Sequence, residues 1–210
     1  MEISVVIPTY NRPHKLLSCV QSILSQTRLP NEIIVVDDAS DCSYDDVLNK
    51  LRKNNNEDIH LEYIRLSVGG GASHARNEGA RRAHGDLLMF IDDDDTWLPS
   101  KVDRQLPYFS DGQVGLVYAG RRVVSEDGDV LYCIDPKEEG KISDELLVHN
   151  CIGTTSSVAV RTSLFHATGG FDASLPALQD YDLWIRVARQ TRVAFDAAHT
   201  VCWTVHASSE

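Results

Sequence analysis

The stretch "GDLLMFIDDDDTWLP", residues 85–99, decides how this chain is read. Leu87 to Ile91 are five apolar residues in a row, with no polar face. A short run apolar on both sides suits a parallel strand covered by helices above and below. Four carboxylates, Asp92 to Asp95, follow at once, and then Pro99. In an open α/β sheet, ligands gather beyond the carboxyl ends of the strands, so these acids stand where a ligand is expected.

Outward from that strand the same texture recurs. "ISVVIP" (Ile3 to Pro8) and "EIIVVDD" (Glu32 to Asp38) are further short apolar runs, and "IHLEYIRL" (Ile59 to Leu66) alternates weakly. Between the first two, Leu16, Leu17, Val20, Ile23 and Leu24 share one helical face. "YDDVLNKLRKN" is a second helix, with Ser40 or Asp41 as the expected cap, and "GASHARNEGARRAHG" a third, bounded by glycines. Strand and helix alternate as in an open α/β sheet with right-handed crossovers. Further on, "GLVYAGRRVVSEDGDVLYC" reads as a hairpin turning at Asp127-Gly128, and "TTSSVAVRTSLFHATGGFD" as a strand and short helix. "DYDLWIRVARQT" is an amphipathic helix with Leu183, Trp184, Val187 and Ala188 inward, and "RVAFDAAHTVCWTVH" offers one or two terminal strands. No linker interrupts the pattern, so residues 1–210 are expected to form one domain in two parts, 1–110 and 111–210.

The chain has 210 residues, 42% of them hydrophobic, enough for one large core. Its net charge of −11 argues against a nucleic-acid surface, because no basic stripe is available to neutralise phosphates. No apolar run approaches the length of a membrane span, and no secretory leader is visible. The cysteines, Cys19, Cys42, Cys133, Cys151 and Cys202, are scattered and odd in number, as in a reduced intracellular protein. The expected location is cytoplasmic, at most peripheral at the inner face of the membrane.

Two strands end in acids, Asp37-Asp38 and Asp92 to Asp95. Crowded carboxylates repel, and a hard divalent cation with oxygen preference, Mg2+ or Mn2+, removes the conflict. Magnesium held by few protein ligands usually also takes phosphate oxygens. The plainer alternative is that both acidic runs are solvated turn residues. "SVGGGASHARN" is glycine-rich but matches neither common phosphate-loop pattern, leaving Arg76 as a candidate phosphate contact.

Taken together, "VVIPTYNRPHKLLSCVQSILSQT", "EIIVVDDAS", "GGASHARNEGARRAHGDLLMFIDDDD", "SSVAVRTSLFHATGGFD" and "QDYDLWIRVAR" resemble the inverting glycosyltransferases of family 2, from about Ile3 to His206. The resemblance implies a GT-A fold: a Rossmann-like, mostly parallel central sheet flanked by helices, with a small antiparallel sheet on the acceptor side. It implies that Pro8, Thr9, Tyr10 and Arg12 line a nucleotide-sugar pocket, that Asp38 meets the base, and that Arg76 approaches the diphosphate. A carboxylate at Asp38 pairs well with ring N–H or hydroxyl donors. Asp92 and Asp94 match the family's Asp-x-Asp pattern, with Asp93 in the variable place. The family gives the first of these to the ribose and the second, Asp94, to the metal, Mn2+ or Mg2+; His206 resembles a C-terminal histidine near the metal. Asp180 falls where the family keeps its general base, with Gly170, Phe171, Gln179 and Trp184 on the acceptor side, although Trp184 by its pattern is core. Many members have Glu-Asp where this chain has Gln179-Asp180, so the neighbour of the base is neutral here.

The implied reaction transfers a sugar from a nucleotide-sugar, with uridine the commoner base, to a hydroxyl of a saccharide or lipid-linked saccharide. A nucleotidyltransferase is the first rival, but the place of its basic glycine-rich loop holds "PTYNRP". A non-catalytic carbohydrate- or nucleotide-binding module of the same fold is the second, and Asp180 and the acidic cluster count against it. Asp180 and Asp182 also suit a helix cap and first turn, and Trp97 suits either a pocket wall or helix packing.

Overall fold

The computed structural model describes residues 1–54 and 59–206. Four parallel strands form its first part: β1 (Ile3–Thr9), β2 (Glu32–Asp37), β3 (His60–Arg65) and β4 (Leu87–Phe90), in the spatial order β3-β2-β1-β4. Period-two alternation sends Ile3, Val5, Ile7, Leu87 and Met89 to one face. Val6, Leu88 and Phe90 point to the other. Both faces are covered, which is why the strands read as unbroken apolar runs.

On the first face lie α1 (Pro13–Leu24) and α2 (Asp45–Asn54), through Leu16, Cys19, Val20 and Ile23 and through Val47, Leu48 and Leu51. Pro13 begins α1, where its missing N–H costs nothing. Neither Ser40 nor Asp41 starts α2. Ser43 does, its hydroxyl accepting the Asp45 N–H at 3.0 Å, because Ser40 is committed to the loops beside it. On the second face α3 (Gly71–Arg82) buries only small residues, Ser73, Ala75, Gly79 and Ala80. A Cβ at Gly79 would collide with Val6, so the glycine lets this helix lie close on β1.

The sheet continues in mixed sense. Beside β4 comes β8 (Ala159–Arg161), antiparallel to it, and then β6 (Val114–Val124) and β9 (Arg192–Thr204), which run parallel to each other. The last strand on this path is β5 (Thr96–Trp97), antiparallel to β9, while β7 (Val130–Ile134) pairs with β6 in the expected hairpin, with Gly128 at φ +89° in the turn. The C-terminal segment forms one long strand. Its register with β6 slips between Ala119 and Gly120, where Ala197 and Ala198 are extra, and the bulge bends it towards the acidic loop. Behind this half lie α5 (Thr162–Ala167) and α6 (Gln179–Ala188), packed through Phe165, Leu183, Trp184 and Val187. Trp97 is core: its indole N–H donates to the Ser156 carbonyl at 2.9 Å, and the buried Lys101 Nζ sits 3.9 Å from the ring centre. A short helix, α4 (Lys101–Gln105), follows it. Among the described residues no helix is long and apolar enough to cross a membrane.

Candidate active site

The carboxyl ends of β1, β2 and β4 surround a cavity of about 290 Å³. Pro8, Thr9, Tyr10, Arg12, Asp38, Ala72, Arg76 and Asp92 to Asp94 line it. Two loops at its rim are locked together: the Asn11 N–H donates to Ser40 Oγ at 2.8 Å, and the Asn11 side-chain oxygen accepts the Asp41 N–H at 2.9 Å. Asn11 and Ala39 hold φ of +54° and +61°, backbone that tertiary contacts must enforce. Asp38 accepts the Gly70 and Gly71 N–H groups at 2.8 and 2.7 Å, one on each oxygen, and so ties β2 to the start of α3. Its neighbour Asp37 faces away into the core, accepting from Ser40 N–H and the Tyr63 hydroxyl. Burial and that carboxylate hold the Tyr63 hydroxyl well above the usual phenol range.

The four aspartates after β4 do two jobs, split by alternation. Asp93 and Asp95 are buried, at 4% and 1% exposure, while Asp92 and Asp94 are only half-buried and open to the cavity. Asp93 accepts from the Thr9 hydroxyl at 2.6 Å and from Arg12 at 3.3 Å; burial pushes its carboxyl up to about 6. Asp95 accepts from Ser156 Oγ at 2.5 Å and from the Thr204 N–H at 2.9 Å, and burial again raises its carboxyl. These inward acids pin the loop to β1, to the segment before β8 and to β9. Of the outward pair, Asp92 meets Arg76 at 2.5 Å, and one oxygen of Asp94 meets Arg12 at 2.6 Å and His206 Nε2 at 2.8 Å. The other His206 nitrogen meets Glu126 at 2.6 Å, and the two carboxylates hold the imidazole's proton above its ordinary pKa.

A second cavity, of about 480 Å³, opens on the far side of the Arg76–Asp92 pair, which lines both. Arg121, Asn150, Gly153, Thr154, Thr155, Leu178, Gln179, Asp180 and Trp203 complete it. Asp180 lies in the first turn of α6, accepts the Tyr181 N–H at 2.8 Å and is half-buried. Burial raises its carboxyl above the ordinary range. The preceding Leu178 has φ +60° and is 65% exposed.

Comparison with known proteins now bears on this geometry. The family description "Glycosyl transferase family 2" matches residues 4–164. The chain belongs to this family. An uncharacterized glycosyltransferase of Haemophilus influenzae is 30% identical over 190 residues, 90% of this chain and 62% of the relative. Among solved structures, S. aureus TarS 1-349 in complex with UDP superposes with a TM-score of 0.80 at 22% identity, over 98% of this chain and 61% of that one. The mannosyltransferase PcManGT of Pyrobaculum calidifontis, in complex with GDP-Man and Mn2+, gives 0.77 at 19% identity, over 99% and 58%. The chain thus spans about three-fifths of the length of these proteins. Likeness at these identities shows the fold, which is the GT-A fold of the family.

As a family 2 domain, the chain gathers nearly all the expected site residues around these two cavities. Gly170, Phe171 and Trp184 are the exceptions, and His206 reaches the first cavity only through its contact with Asp94. Phe171 and Trp184 are 2% and 0% exposed and pack with Phe90 and Phe165 beneath the site, because the apolar face of α6 has nowhere else to bury. Gly170, at φ +69°, ends α5 and lines a separate shallow cleft. Several residues of the site were given no role from the sequence: Ser156, Thr204 and Glu126, which brace the acids, and Arg121 and Asn150 in the second cavity. Ser156 opens a recognised motif and Arg121, Glu126 and Thr204 lie in stretches read as strands, but only their partners elsewhere in the chain bring them to the site.

The donor set suits a divalent cation that brings its own oxygen ligands. No three His, Cys, Asp or Glu side chains converge on a cation site among the described residues. Asp94 and His206 Nε2 do converge at the cavity, as a two-donor set. Mg2+ and Mn2+ accept so few protein ligands when phosphates and water supply the rest. The Arg12 guanidinium and the His206 proton now balance the Asp94 carboxylate, and a cation there would take over that role.

Proposed function

We propose that this chain is the catalytic domain of an inverting, metal-dependent glycosyltransferase. It moves a sugar from a UDP-sugar to a hydroxyl of a saccharide or lipid-linked saccharide at the cytoplasmic face of the membrane. One observation carries this reading: two cavities share the Arg76–Asp92 pair as lining, with Asp94 in one and Asp180 in the other. A donor seated in the first cavity places its leaving diphosphate among Arg76, Arg12 and Asp94. An acceptor in the second presents its hydroxyl from the opposite side. Direct displacement between them inverts the anomeric centre and needs no covalent intermediate.

Asp180 takes the proton from the attacking hydroxyl, as a base in hydrogen-bond reach must. Its half-buried setting, with pKa raised by desolvation, makes the carboxylate more basic than an exposed one. Gln179 beside it adds no second charge. Arg76, aligned by Asp92, is the wall residue that meets charge growing on the diphosphate. Asp94 and His206 would hold the metal, which when bound supplies electrostatic stabilisation of that leaving group. The complexes of TarS with UDP and of PcManGT with GDP-Man and Mn2+ support a metal-assisted nucleotide-sugar site, and uridine is chosen on the family resemblance at Asp38.

Calorimetric titration with UDP and with GDP, each with and without Mn2+, tests the donor assignment. Micromolar UDP binding that requires Mn2+ is the expected result. Binding of GDP in its place would transfer the assignment to a guanosine donor, and a folded protein that binds neither would overturn the enzyme reading. Inversion is checked by NMR of the product's anomeric proton.

A further inference from the structure

Among the described residues several arginines pair with acids, the exposed Arg12, Arg65 and Arg104 with Asp94, Asp37 and Asp196 and the half-buried Arg76 and Arg186 with Asp92 and Asp182, while half-buried Arg161 donates to the Val114 and Phe109 carbonyls. Arg121 is different. It projects from β6 into the second cavity, spends one terminal nitrogen on the Ile152 carbonyl at 3.1 Å, and leaves its buried Nε with no hydrogen-bond partner. No carboxylate among the described residues forms an ion pair with it, in a chain of net charge −11. Gly153, at φ +83°, packs flat against the guanidinium, where any side chain would collide with it. A guanidinium keeps its charge when buried, and its fork matches a carboxylate or phosphate.

The rest of the cavity is laid out for a sugar. Trp203 and Leu178 are apolar walls, Asn150, Thr154 and Gln179 offer hydrogen bonds, and Asp180 is the base. Among the described residues Arg121 and Arg76 are the cations lining this cavity, and Arg76 is held by Asp92 whereas Arg121 forms no ion pair. We propose that Arg121 is the specificity-determining residue of the acceptor site, and that it selects an acceptor carrying an anionic oxyacid group, a carboxylate or a phosphate, close to the hydroxyl that is glycosylated. This rests on the second cavity being the acceptor site. Arg121 binds the anion and leaves proton removal to Asp180.

The experiment follows the arginine Nε–H signals of the full chain, 15N-labelled at arginine and saturated with UDP and Mn2+, during titration with glucuronate, glucose 6-phosphate, glucose and inorganic phosphate. The Arg121 signal, assigned by its loss in Arg121→Gln, should move with the two anionic sugars at concentrations about tenfold or more below those needed for glucose, the worth of one charged hydrogen bond. Calorimetric titration of the variants with the same four compounds reads the preference where that signal is gone: Arg121→Lys should retain part of it and Arg121→Gln none, both with unchanged UDP affinity, which also shows that they fold. Equal responses to anionic and neutral sugars, or to phosphate and glucose 6-phosphate, would overturn the proposal. The donor reading is tested separately by the UDP affinity itself. A selective Arg121 response with no sugar transfer to any anionic acceptor would keep the anion site and remove the acceptor reading.

Discussion

In the first cavity each lining carboxylate already has a partner, whereas in the second Asp180 and Arg121 carry opposite charges with no ion pair between them. The first is built from consecutive strand ends of a parallel sheet, so its acids and arginines arrive together and are held in register by backbone N–H groups and hydroxyls. The second is assembled from β6, β9, the loop before β8 and the start of α6. Pre-paired charges suit a site that must exchange a cation and a diphosphate; separated ones suit a site whose charges await a substrate. The difference teaches that the two cavities do separable work, and each substitution below is a way to break that separation.

The largest effect is expected from Asp180→Asn. General-base removal should cut kcat by about 10²–10⁴-fold while leaving UDP affinity within a factor of about two. Steady-state rates beside calorimetry check this, and a parallel loss of UDP binding would merge the two sites into one. Asp94→Ala should do the reverse, weakening Mn2+-dependent UDP binding by about tenfold or more, the worth of one charged contact. Its circular dichroism should be unchanged, because Asp93 and Asp95 are the acids that anchor the loop.

Next comes pH. As the proposed base, Asp180 would act in its ionised form, and burial raises its pKa, so protonation sets in at a higher pH than for an exposed aspartate. The kcat/KM profile should fall on its acid side by about tenfold per unit below that pKa. An acid limb of the same position and slope in Asp180→Asn would detach it from Asp180. The smallest effect belongs to Leu178→Gly. Leu178 is exposed and sits at φ +60°, so glycine relieves backbone strain at little packing cost. The denaturation midpoint should rise by about 0.5–1 kcal/mol of stability, and sugar transfer should weaken only if Leu178 is an acceptor wall.

Legibility followed distance along the chain. The first four strands and three helices could be read in place because their apolar patterns are local, and the acids at their ends inherit positions from the fold class. Reading failed where a short element is set by partners far away. The start of α2 went to Ser43 because Ser40 was taken by Asn11 and Asp37. Trp97 left both options open because its neighbours are acids in sequence, yet its indole is satisfied by Ser156, from a distant part of the chain. Phe171 was placed beside the acceptor by its motif, and the aromatic cluster with Phe90, Phe165 and Trp184 draws it beneath instead; for Trp184 the helical pattern, which put it in the core, outweighed the motif.

The sequence by itself determined the parallel sheet, the acidic strand ends and the family motifs, because periodicity and strand-end chemistry act within a few residues. Only the tertiary structure decided which aspartates of the run 92–95 line the cavity, through a turn closed by the Asp95 N–H on the Asp92 carbonyl: Asp93 and Asp95 turn inward to Thr9, Ser156 and Thr204, and Asp92 and Asp94 turn outward. It also decided that Arg121 stands uncompensated beside Asp180. Pairing of a buried charge depends on what the rest of the chain brings within reach, and no local pattern encodes that.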